Sequence, residues 1–132
     1  MNMTDKQLQI LRRAQQGEID AVLMYNALAK VVPASDAETF RQLAKEEGHH
    51  ADVFHRYTQL PLKAGHFKER VVPFIYRVLG RKVTYTLIAQ AEYRADGGYQ
   101  PLIADFPEVA SVAADETHHG DMVSGLLKKE II

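Results

Sequence analysis

Glu47 stands three residues before His50, and Glu116 three residues before His119. On a helix that spacing puts a carboxylate and an imidazole one turn apart on the same face, so both reach one metal ion or one pair of ions. A single such pair is common on surface helices rich in Glu and His. Here each pair is matched by a further glutamate, Glu18 or Glu92, and each of these is followed seven residues later by a tyrosine, Tyr25 or Tyr99. The segments themselves repeat: GEIDAVLMY resembles AEYRADGGY, and KEEGHHADV resembles ADETHHGDM. The shared letters are acids and histidines as well as apolar positions, which packing alone does not explain.

Charge favours two metals over one. Four carboxylates in a dry core do not all stay ionised unpaired, because desolvation costs several kcal/mol per ion. Two divalent ions would neutralise Glu18, Glu47, Glu92 and Glu116 and leave His50 and His119 as neutral end ligands. The repeat predicts Glu47 and Glu116 as bridges, with Glu18 and His50 on one metal and Glu92 and His119 on the other. The chain has no cysteine, so thiolate catalysis, zinc fingers and iron-sulfur clusters are excluded. Oxygen-rich ligands with one imidazole per metal favour iron or manganese, with zinc as an alternative occupant, and suit a redox pair that consumes oxygen or peroxide. No catalytic residue beyond the metal ligands stands out.

A metal-bound imidazole usually donates its other N–H to a carboxylate or carbonyl. The residue before each motif glutamate is acidic, Glu46 or Asp115, and one step along a helix turns it about 100° toward the neighbouring helix. The expectation is that Asp115 accepts from His50 and Glu46 from His119. Tyr25 and Tyr99 are candidates for hydrogen bonds to ligand carboxylates. His49 and His118 are turned away from the ligand face and read as surface residues, as do His55 and His66, and the methionines imply no copper site.

These residues need helices to align them. Leu8, Leu11, Gln15, Glu18, Val22, Tyr25, Ala29 and Val32 recur at helical spacing, and capping boxes at Thr4 with Gln7 and Ser35 with Glu38 predict helices over about 4–32 and 36–60. The second helix presents Phe40, Leu43, Glu47, His50, Phe54 and Tyr57. Residues 61–80 read as a long connection carrying a short helix at 71–79. A third helix over 81–104 carries Tyr85, Ile88, Glu92, Tyr99 and Leu102, with a kink or bulge at Gly97, Gly98 and Pro101. Asp105 would cap a fourth helix showing Val109, Val112, Glu116, His119, Val123 and Leu126. Two hairpins joined by a long crossover describe an all-α four-helix bundle in which the middle helices run parallel.

The 132 residues, 46% hydrophobic and 25% charged, suit one soluble domain spanning 1–132. The net charge of −1 and pI near 6.6 offer no general attraction to nucleic acid or anionic membrane. The basic pairs Arg12-Arg13, Arg81-Lys82 and Lys128-Lys129 read as solvated helix surface. No apolar run approaches the roughly 18 residues of a membrane span, and the first residues lack the apolar core of a signal peptide, so no membrane insertion and a cytoplasmic location are expected.

Glu18 with Tyr25, Glu47 with His50, Glu92 with Tyr99 and Glu116 with His119 resemble, over nearly the whole chain, the ferritin-like di-iron carboxylate proteins and within them the rubrerythrin group. YRVLGRKVTYTLIAQAE also looks like the entry to the third helix in ferritin-like domains attached to some relatives of vacuolar iron transporters. The resemblance implies a ferritin-like bundle, two iron ions, an oxidoreductase of peroxidase or ferroxidase type, and a homodimer, for which the 61–80 connection would permit helix exchange. Where rubrerythrins carry a further glutamate one turn after the third-helix ligand, this chain has Ala95, with Asp96 the nearest acid. A rubredoxin centre cannot be built without cysteine, so an electron donor would be a separate protein. Three readings of function follow: an enzyme that oxidises Fe(II) or reduces peroxide or oxygen, a non-catalytic iron-binding storage or sensing module acting with a partner protein, and an inert bundle with a vestigial site.

Overall fold

In the computed structural model, residues 3–128 are described. They form α1 (Asp5–Ala29), α2 (Ala34–Thr58), α3 (Phe67–Tyr99) and α4 (Glu108–Leu126), with a short 3-10 turn at Gln100–Leu102. Among the described residues there is no strand, and the architecture is the expected all-α four-helix bundle. The main packing is α1 along α2 and α3 along α4, and the two hairpins meet chiefly through α1 and α3.

The helix ends follow local chemistry, and several differ from expectation. The Thr4 box is present: Thr4 Oγ1 accepts from the Gln7 amide and Gln7 Oε1 accepts from the Thr4 amide, each at 3.0 Å. α1 stops at Ala29, not Val32, because Pro33 disfavours helical conformation in the residue before it. Pro33 itself is the N-cap of α2, with φ −56°, so the helix begins at Ala34. The expected Ser35-Glu38 box is absent: no side chain caps this end, Ser35 lies inside the first turn, and Glu38 accepts from Arg41 instead. α2 ends at Thr58, short of Leu60, where Gln59 takes a left-handed conformation (φ 57°).

The crossover is more helical than the sequence suggests. The helix expected at 71–79 begins at Phe67 and runs into the next, broken only at Gly80, whose φ of 88° interrupts the helix. That backbone is nearly exclusive to glycine. α3 ends at Tyr99 rather than Ala104, since Pro101 cannot donate to the Gly97 carbonyl and the chain tightens into the 3-10 turn. Asp105 does not cap α4: Pro107 is the N-cap, without a side-chain bond, and Asp105 accepts from Gln7 Nε2 at 2.7 Å, tying the start of α1 to the approach to α4.

The apolar core lies in two clusters. One contains Met24, Leu28, Phe40, Leu43, Tyr85, Ile88, Val123 and Leu126, and the other Leu11, Phe54, Leu102, Phe106, Val109 and Val112. Along α1 and α4 the second cluster comes first; along α2 and α3 it comes last, so the middle helices run parallel. Each fully buried Leu or Phe contributes about 1.5–3 kcal/mol. On every helix the segment between the two clusters carries the glutamates and histidines.

One of the basic pairs is misread as surface. Arg81 donates to buried Asp36 through Nε at 2.8 Å and Nη2 at 3.2 Å, and to the Leu126 carbonyl at 2.7 Å. Its guanidinium also lies over the Tyr85 ring, and the Tyr85 hydroxyl donates to Asp36 at 2.6 Å. Arg12, Arg13, Lys82 and Lys128 are exposed as expected, while Lys129 lies outside the described residues.

Candidate metal centre

Helical periodicity places Glu18 on α1, Glu47 and His50 on α2, Glu92 on α3, and Glu116 and His119 on α4, all buried at the level between the apolar clusters. Glu47, His50, Glu116 and His119 present ligand atoms within 4.8 Å of one another. His50 Nδ1 lies 2.9 Å from Glu116, 3.0 Å from Glu47 and 3.5 Å from Glu18. His119 Nδ1 lies 3.1 Å from Glu47, 3.7 Å from Glu92 and 3.8 Å from Glu116. Glu47 and Glu116 thus sit next to both imidazoles, and Glu18 and Glu92 next to one each. The two rings stack at 5.4 Å between centroids.

One atom of each of these six residues is buried without a hydrogen bond: Glu18 Oε2, Glu47 Oε1, His50 Nδ1, Glu92 Oε2, Glu116 Oε1 and His119 Nδ1. A buried polar atom left unsatisfied costs about 1–3 kcal/mol, so six at one level oppose folding strongly unless they share a ligand. Four further polar atoms of the set are held. Tyr25 donates to Glu92 Oε1 at 2.5 Å and Tyr99 donates to Glu18 Oε1 at 2.8 Å, each tyrosine serving the glutamate of the other half. His50 Nε2 meets Asp115 Oδ2 at 2.9 Å and His119 Nε2 meets Glu46 Oε1 at 3.1 Å. Each ring therefore gives its outer nitrogen to a carboxylate and its inner nitrogen to the cluster. Four carboxylates and two imidazoles converging by their free atoms form a donor set that fits a pair of divalent iron, manganese or zinc ions.

Electrostatics agree with a site shaped for cations. Burial raises Glu18 to about 8 and Glu116 to about 11, so without metal both hold protons at neutral pH. For Glu47 burial works upward too, but the adjoining imidazoles of His119 and His50 outweigh it and bring the group down to about 2. Burial opposes charge on His119, yet the adjacent carboxylates of Glu47 and Glu92 lift it to about 11. His50 is raised as well, against burial, by Glu116, Glu18 and Glu47. Burial first and the neighbouring carboxylates second raise Tyr25 and Tyr99, which keeps both phenols protonated as donors.

His49, His118, His55 and His66 are exposed, as expected. The sequence reading missed Gln15, buried on α1, which donates to the Leu60 carbonyl at 2.9 Å and accepts from Thr58. It also missed Asp96, which accepts from Thr117 at 2.6 Å and links α3 to α4 beside the site. Gln15 stood in the periodic series of inner positions as a polar residue, and that was its only signal. No described helix is long and apolar enough to cross a membrane.

Among known families, the model of the one described as Rubrerythrin matches residues 9–127 of this chain. No curated protein and no solved structure gives a significant match.

Proposed function

The chain belongs to the rubrerythrin family, and from that premise we propose that it holds two iron ions between its four helices and acts as an oxidoreductase, oxidising Fe(II) or reducing peroxide or oxygen. The six orphaned atoms at one level carry this reading. Glu18, Glu47, His50, Glu92, Glu116 and His119 would hold the ions, with Glu47 and Glu116 the two carboxylates that adjoin both imidazoles. Manganese or zinc fits the same donors. When bound, the metal pair supplies the electrons that reduce oxygen or peroxide. The protein contributes position: Tyr25 and Tyr99 fix the two terminal carboxylates, Asp115 and Glu46 fix the imidazoles, and the apolar clusters bound the layer on either side.

The chain has no cysteine to build an electron-transfer centre of its own, so a separate donor protein delivers electrons. The same observation favours the second reading, an iron-binding storage or sensing module. Sustained turnover with a reductant separates the two. The other partner is a second copy of the chain: Phe67, Phe74, Val78 and Leu79 on the first part of α3 are each more than half exposed, an apolar face suited to a homodimer. Sedimentation of the native chain and of Phe74→Glu tests this, with the variant shifted to monomer. For the site itself, anaerobic loading with Fe(II) followed by oxygen or peroxide should give two metals per chain and an oxidation-dependent near-ultraviolet absorbance. Both are lost together in Glu47→Ala with Glu116→Ala. Loading below one ion per chain would overturn the proposal.

A further inference from the structure

A cavity of about 290 Å³ opens between α1 and α3 onto the carboxylate level. Glu18, Glu92, Tyr25 and Tyr99 line its polar part, and Ala21, Met24, Val72, Ile75, Ile88 and Ala95 its apolar walls. Val72 and Ile75 come from the part of α3 before Gly80, so the break in that helix turns the crossover into a wall of the cavity. Exposed Lys68 marks the rim.

The volume is roughly ten times the share of one water molecule in the liquid, far more than dioxygen or hydrogen peroxide fills. Away from the carboxylate end, the stretch lined by Ala21, Met24, Val72, Ile75 and Ile88 offers such small polar molecules nothing to bond to. An apolar body fits that stretch, and its head must bring its own hydrogen-bond donor, because both tyrosine hydroxyls are already donated to Glu92 and Glu18, whose Oε2 atoms are left without a partner. We propose that this cavity binds an alkyl hydroperoxide, with its aliphatic body against the walls and its –OOH group at Glu18 and Glu92. The proposal rests on the oxidoreductase reading above and specifies its substrate class. Reduction breaks the O–O bond, takes up two electrons from the separate donor protein and two protons, and releases the alcohol and water. Ala95 is essential to the fit, since a longer side chain there would fill the space.

Hexanol, an unreactive stand-in for the alcohol product, is titrated into protein loaded with redox-inert zinc and followed by calorimetry. One molecule should bind saturably per chain. Ala95→Leu or Ala91→Phe, each placed on the cavity lining, should weaken binding at least tenfold with zinc content unchanged. In iron-loaded protein the same variants should lower kcat/KM for cumene hydroperoxide at least tenfold and leave that for hydrogen peroxide unaltered. Absent saturable binding, or binding indifferent to both substitutions, overturns the proposal. Should the chain take up no metal, the oxidoreductase reading falls, while hexanol binding by the metal-free protein still decides whether the cavity is a site for aliphatic molecules.

Discussion

Asp115 is half-exposed on α4, yet its carboxylate holds the outer nitrogen of a buried histidine on α2. Its place one residue before a ligand glutamate made it legible: one step of a helix turns it from the ligand face toward its neighbour. Glu46 follows the same rule on α2. The crosswise bonds of Tyr25 to Glu92 and Tyr99 to Glu18 were less accessible, because the spacing of Glu and Tyr within one helix says nothing about which helix the hydroxyl reaches. Asp115→Asn keeps the shape and removes the charge that orients His50 and raises its basicity. Metal affinity should fall by about tenfold or more, measured by competition with a chelator, while the thermal midpoint of the metal-free protein stays nearly unchanged.

At the scale of the elements, apolar and ligand positions were readable from period alone, whereas ends depended on rival local chemistry. Thr4 caps α1 because nothing competes with it; Ser35 does not cap α2 because Pro33 starts the helix first. The crossover was underestimated because Pro73 and Gly80 look like helix breakers, yet Pro73 lies inside α3, where it costs only the helical bond to the Glu69 carbonyl, and Gly80 interrupts the helix for one residue before it resumes. With φ at 88°, Gly80→Ala should destabilise the fold by about 1–3 kcal/mol, seen as a lower urea midpoint. The Asp36, Arg81 and Tyr85 network pins the same junction to α2 and to the end of α4. Arg81 was indistinguishable from solvated basic residues because its partner lies 45 positions away. Asp36→Ala leaves a mostly buried guanidinium without its carboxylate and should cost about 3 kcal/mol, again read from urea unfolding, with metal content per folded chain unaltered.

For the whole molecule, each half supplies one lone glutamate and one E-x-x-H pair, and the helix directions bring both sets to one level between two apolar clusters. That layer is expensive without a ligand: buried atoms lack partners, and protons on His119 and Glu116, both raised to about 11, and on Glu18, raised to about 8, take up part of the charge. A metal held by this cluster would bind only the folded arrangement and would displace these protons, so stability and pH would be linked through it. The sign follows directly. The metal-free site holds more protons than the loaded one, so loading releases protons and affinity rises with pH through the range below those values. At a free metal concentration 100 times the dissociation constant, one site adds about 2.7 kcal/mol, which raises the melting midpoint of a domain of this size by roughly 10 °C. Anaerobic Fe(II) or zinc should give that shift at pH 8, a smaller one at pH 6, and acidification of an unbuffered sample on loading. A shift independent of pH, with no protons released, would show that the metal sits away from these carboxylates and imidazoles.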